Sequence, residues 1–302
     1  MTSTNPHDPG SATAPAARVV LDRRRFLGYL AGGSTLAVAS TLGLGALRGS
    51  SPAGAVTPRL SGAPSSSPSG SPTGSQPPND TPYEVVINMS QDTVGKLTKG
   101  GFLLYGFKAV QGAKTGVPLV WFKSSNYLTQ TTVDWYEQYQ AYIANSQDIP
   151  NGKVTAETSL PINLGQTMTV HTDSTCTVAD GGSTGAISIE NDSKVEYAAG
   201  ISLVNGTVAT PTCAFPLYGG GMVDEIIPIE KVLFMFSTKP ADTGTVVEQA
   251  YSAGILIDLT GATSRTVTFD IDNGWDWGGQ TWATAVTANE QLVPLLIDPP
   301  SN

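Results

Sequence analysis

Beyond residue 82 the chain alternates apolar and polar side chains with a period of two, the signature of half-buried strands. The pattern opens at Glu84-Val85-Val86-Ile87-Asn88. It recurs over residues 103–110, 117–122, 167–171, 186–190, 194–204, 231–237, 246–259, 266–272 and 292–297. Turn-forming groups separate these runs: Pro150-Asn151-Gly152, Asp180-Gly181-Gly182, Asn191-Asp192-Ser193, Asn205-Gly206 and Asp272-Asn273-Gly274. Many short strands punctuated in this way predict an all-β fold, an antiparallel β-sandwich. Residues 131–143 fit two templates. Tyr136, Tyr139 and Ile143 have helical spacing, while Val133, Trp135, Tyr139 and Ile143 lie on one strand face. Their aromatic and β-branched content predicts a long strand.

The N-terminal region has a different texture. Residues 57–82 are mostly Thr, Pro, Ser and Gly, and the run 62–78 has too few apolar side chains to offset chain entropy. It reads as a flexible tether. Ahead of it stand three zones: a polar stretch to residue 22, the run Asp22-Arg23-Arg24-Arg25-Phe26-Leu27-Gly28 leading into a glycine-diluted apolar segment (27–47), and Ala53-Gly54-Ala55. This arrangement resembles a twin-arginine (Tat) export signal. Arg23 and Arg24 take the place of the arginine pair, Arg25 that of the variable residue, and Phe26 and Leu27 that of the apolar doublet. Asp22 stands where the consensus usually has Ser or Thr. The resemblance implies export in the folded state through the Tat translocase and a location outside the cytoplasmic membrane. Ala53 and Ala55 form a small-x-small cleavage site, and no Cys lies near it to carry a lipid. The expected organisation is a signal peptide (1–55), a disordered linker (56–82) and one β-sandwich domain (83–300), with no transmembrane segment in the mature chain.

Charge narrows the partners. The chain holds 16 basic and 25 acidic residues, a net charge of −9. Five of the basic and two of the acidic residues lie in 1–55, so the remainder carries 11 basic against 23 acidic residues, net near −12. Such a surface argues against nucleic-acid binding and against attraction to anionic lipids. Cys176 and Cys213 are the only cysteines. In an oxidising compartment they predict a disulfide. It would close a loop of about 38 residues, worth ~4 kcal/mol on a chain-entropy account.

Candidate chemistry is sparse. His171 is the single histidine beyond residue 55, and no nucleophile elbow, phosphate loop or haem motif accompanies it. Acidic groups occur at Asp134 and Glu137, at Asp224 and Glu225, and at Asp270, Asp272 and Asp276. A glycosidase would need two such acids facing one another. The segment Asp270-Ile271-Asp272-Asn273-Gly274-Trp275-Asp276 alternates hard oxygen donors, which makes calcium the one cofactor candidate. It departs from the EF-hand loop, with Gly274 in the fifth place and no Glu in the twelfth.

The same region holds Trp275, Trp277 and Trp282, three of the chain's five tryptophans, among Gly274, Gly278 and Gly279. Flat aromatic side chains on a loop bind sugar faces or sit at a membrane interface. The expected function is therefore a secreted, non-enzymatic binding protein for a glycan or another cell-surface ligand. A carboxylate-dependent glycoside hydrolase and a pore-forming protein with residues 194–207 as inserting hairpin are the alternatives.

Overall fold

The computed structural model describes residues 17–19, 82–113 and 116–299. The twin-arginine run with Arg23, Arg24, Phe26 and Leu27, the cleavage residues Ala53 and Ala55, and the linker to residue 81 lie outside the described residues.

The first strands are β1 (Ala17–Val19), β2 (Pro82–Met89), β3 (Leu103–Gln111), β4 (Val117–Pro118), β5 (Phe122–Ser124), β6 (Gln130–Tyr136) and β7 (Tyr139–Asn145), with helix α1 (Gln91–Gly100) after β2. There follow β8 (Thr158–Ile162), β9 (Gln166–Val170), β10 (Cys176–Asp180), β11 (Ile187–Asn191), β12 (Tyr197–Asn205), β13 (Val208–Pro211) and β14 (Cys213–Leu217). The chain closes with β15 (Met222–Ser237), β16 (Gly254–Asp258), β17 (Ser264–Asp270), β18 (Gly274–Asp276), β19 (Ala283–Val286), the helical turn α2 (Val293–Leu296) and β20 (Ile297–Asp298).

The fold is an all-β sandwich. The strands of the described residues form three sheets: β1-β6-β2-β17-β18, β4-β14-β12-β7-β8 with β13 beside β12, and a large sheet β10-β9-β11-β15-β16-β19 in which β3 also pairs with β15, β5 and β20. Among the described residues antiparallel pairs dominate, and four pairs are parallel: β1 with β6, β2 with β17, β9 with β11, and β3 with β20.

One apolar core is shared by all three sheets. It takes Val85 and Ile87 from β2, Trp135 from β6, Ile143 from β7, Ile201 from β12, Phe215 from β14, and Val232 and Phe234 from β15. The opposite face of β3 and β15 is also covered, by Val247, Ala250, Leu292 and Leu296 packed on Tyr105, Phe107, Leu233 and Met235. A strand buried on both faces reads as a continuous apolar run, which is why alternation fades in β3.

β15 is 16 residues long and serves two partners. Its first part pairs with β11, and its second with β16 and β3. The register with β3 shifts between Pro228 and Val232, so Ile229, Glu230 and Lys231 bulge opposite Lys108–Val110.

Several sequence expectations need correction. Residues 131–143 are extended but form two strands in different sheets, broken at Glu137-Gln138 where Gln138 N–H donates to the Tyr136 carbonyl at 2.9 Å. The pattern at 246–259 yields a strand only from Gly254, because Val247 and Ala250 plug the second core from a loop. Residues 292–297 form the turn α2, with Pro294 in its first turn, before the short β20. The run 117–122 is interrupted, since Leu119 and Val120 are buried by a loop path. α1 was not read from the pattern. Ser90 caps it by accepting from Thr93 N–H at 3.0 Å, and Gly101 ends it in the left-handed region.

The expected disulfide does not form. Cys176 and Cys213 are both free. They belong to different sheets, Cys176 paired to Val170 and Cys213 to Pro118. Cys213 is fully buried, with its Sγ 3.9 Å from Thr212 Oγ1. Burial pushes its thiol up to about 12 and raises that of half-buried Cys176 as well.

Candidate functional site

The tryptophan-bearing loop begins where β17 turns into β18 at the rim of one sheet and ends where β19 joins the edge of another. The turn is built by Asp270. Its Oδ1 accepts from the backbone N–H of Asp272 and Asn273 and from Asn273 Nδ2, all within 3.0 Å. Its Oδ2 accepts from Thr93 Oγ1 of α1 at 2.9 Å. These bonds lower the Asp270 carboxyl below its usual range, the Thr93 hydroxyl contributing most. Asp272 turns outward to Lys96 Nζ at 2.6 Å. Asp276 Oδ1 accepts from Gly278 N–H. The three carboxylates therefore serve separate local contacts. Among the described residues, no group of three or more His, Cys, Asp or Glu is placed to hold a metal ion.

The three indoles differ in role. Trp275 stacks on Phe236 at 5.7 Å between ring centroids and packs on Phe269 at 4.8 Å, so it extends the core. Its Nε1 is buried without a hydrogen-bond partner among the described residues. Trp277 is half-buried, and its Nε1 donates to the Gln280 carbonyl at 2.9 Å. Trp282 is half-buried under Arg265, whose guanidinium lies 5.1 Å from the ring centroid. Its carbonyl accepts from Asp258 N–H at 2.7 Å, and Gly278 and Gly279 between the two rings have positive φ. Two partly exposed indoles are thus held on a loop fixed at both ends.

The remaining sequence candidates scatter. His171 directly follows β9, half-exposed, with Nε2 2.8 Å from Thr177 Oγ1. Asp224 and Glu225 are consecutive in β15 and so project to opposite faces. Glu225 accepts from Ser183, while one Asp224 oxygen is buried without a hydrogen-bond partner among the described residues. Burial raises Asp224 to about 6. Within residues 194–207, β12 (Tyr197–Asn205) pairs with β7 and β14 and makes an antiparallel hairpin with β13.

Glu137, paired with Asp134 in the sequence reading, instead joins a cluster whose other members that reading did not bring together. Lys108 of β3 is 1% exposed and its Nζ contacts Glu137 Oε1 at 2.8 Å. Trp135 Nε1 donates to the same oxygen at 3.1 Å. The ammonium lies 5.5 Å from the Trp135 ring centroid and 5.9 Å from that of Tyr83. Tyr83 in turn donates to Glu230 of the β15 bulge. The available signal was a lysine in phase with inward-facing Leu104, Gly106 and Val110, where a charge demands a buried partner. Elsewhere, an open cleft of about 180 Å³ is lined by Gln147, Pro150, Glu196, Tyr197, Pro216 and Tyr218 among others.

The site and fold define an all-β sandwich protein with an aromatic rim loop. No protein-family model matches the chain, no curated protein is similar to it, and no solved structure matches it. Among the described residues, no helix is long and apolar enough to cross a membrane.

Proposed function

We propose that the protein is an exported, non-enzymatic binding module that recognises a glycan through Trp277 and Trp282. The observation that carries this reading is the pair of half-exposed indoles on a loop braced by Asp276, Gln280 and Asp258. Sugar rings present a flat apolar C–H face that stacks on an indole, and their hydroxyls pair with amides and carboxylates of the kind found at Gln280 and Asp276. A braced loop loses little further entropy on binding. Trp275, committed to Phe236 and Phe269, serves as the buttress of the platform rather than as a contact. Asp276, next to Trp277 along the chain, and the acidic balance beyond residue 55 favour a neutral or cationic glycan over an anionic lipid surface.

Arg23, Arg24, Phe26 and Leu27 support export by the Tat route, with cleavage after Ala55 and the segment 56–82 as tether. The test is a glycan array probed with the wild-type chain, W277A and W282A, each checked by circular dichroism for an intact fold. Wild-type binding weakened at least tenfold in both variants is expected. Absence of any glycan hit, or variants that bind as the wild type does, would sink the reading. Binding to neutral liposomes instead would reassign the loop to a membrane interface.

A further inference from the structure

We propose that Lys108 and Glu137 condense to an intramolecular isopeptide bond, a covalent cross-link between the large sheet and the β6–β7 junction. The argument is geometric and independent of the glycan reading. An amine and a carboxyl are held 2.8 Å apart, with side chains 1% and 10% exposed. An ion pair so enclosed gains little net stability, because desolvating both charges offsets most of their attraction. The same enclosure excludes water, which would otherwise oppose condensation, and fixes the groups near attack distance.

The step balances without any other reactant. Lys108 Nζ passes a proton along the hydrogen bond to the Glu137 carboxylate. The freed amine lone pair attacks Glu137 Cδ, forming the N–C bond. Negative charge develops on Oε2, while Trp135 Nε1 donates to the protonated Oε1 and holds it in place. The second amine proton then passes to Oε1, the Cδ–Oε1 bond breaks as water leaves, and Oε2 becomes the amide carbonyl oxygen. No electron transfer occurs. Proton movement needs a second acid–base group, and the bulge of β15 brings Glu230 opposite Lys108–Val110, held by Tyr83 at 2.7 Å. Tyr83 and Trp135, stacked at 5.9 Å, wall off the pair. With Cys176 and Cys213 both free, this would be the covalent tie between sheets that the cysteines do not supply.

Mass spectrometry of the purified, reduced and denatured full chain tests the proposal directly, with proteolytic mapping to read the N-terminus and any linked peptides. The expected result is a mass lower by one water, carried by a branched peptide joining Lys108 to Glu137. The variant E137Q should reach the same final mass by losing ammonia, whereas K108M should keep the full mass of its sequence. E230Q should lower the cross-linked fraction at least tenfold at a fixed time. A wild-type chain at full sequence mass, with separate Lys108 and Glu137 peptides, would overturn the cross-link and leave a buried ion pair. A water loss mapped to other residues would overturn it equally. An unchanged cross-linked fraction in E230Q would remove Glu230 from the step.

Discussion

The hydroxyl of Tyr83 donates a 2.7 Å hydrogen bond to Glu230 Oε1, joining residues 147 positions apart. It ties β2 to the bulge of β15, and so one sheet to another. Burial first, and then the Glu230 carboxylate, hold the phenol proton well above the usual range, so the bond persists through mildly alkaline conditions. Replacing Tyr83 by Phe leaves Glu230 without this donor and should cost ~1.5 kcal/mol. The shift in urea midpoint at constant slope is the measurement. An unchanged midpoint would mean that water replaces the hydroxyl at no cost.

Asp224 should make stability depend on pH in the unusual direction. Burial raises its carboxyl from 3.8 to about 6, so between these values the folded chain binds more protons than the unfolded chain. Its contribution is present below pH 4, is lost as pH rises towards 6, and is level above that. Asp224→Asn should remove the slope. At pH 7 it should stabilise by about 1–2 kcal/mol, after allowing for the part of the carboxyl that still meets solvent. Thermal unfolding of both proteins from pH 4 to 8 checks this, and parallel curves would refute it.

Both cysteines should titrate as free thiols. Unfolded under non-reducing conditions, the chain is expected to yield two reactive thiols, Cys176 and Cys213. In the native state only Cys176 should react, and slowly, because burial keeps both thiols protonated and Cys213 is wholly enclosed. Dye-binding counts before and after unfolding decide the matter.

Two glycines should respond oppositely to alanine. A Cβ at Gly200 would meet the Cys213 carbonyl at 2.1 Å, a backbone atom that cannot step aside without parting β12 from β14. Gly200→Ala should therefore destabilise by ~3 kcal/mol. Gly95 lies within α1 with open space around it, so Gly95→Ala should stabilise by ~0.5–1 kcal/mol. Chemical denaturation of the pair tests the two signs together.

Period-two alternation was enough to place β2, β9, β11 and β17, and with them the all-β class, because each of these strands sets alternate side chains into the core. α1 was missed: its cap residues Ser90 and Gly101 flank a polar segment with only Val94 and Leu97 as buried apolar side chains, too little periodicity to reveal a helix. Alternation failed where its premise failed. Residues 246–253 bury Val247 and Ala250 from a loop, whereas β3 and the second part of β15, buried on both faces, still form strands where 103–110 and 231–237 were expected to. Sequence also showed that Trp275, Trp277 and Trp282 cluster, since they are neighbours along the chain. It could not say which of them is spent on the core, because Phe236 and Phe269 reach Trp275 only through the meeting of two sheets. The cysteine pairing and the Lys108–Glu137 contact have the same character. Both depend on which distant strands the fold sets face to face, and strand pairing across long sequence separations is decided by packing of the whole core rather than by any local pattern.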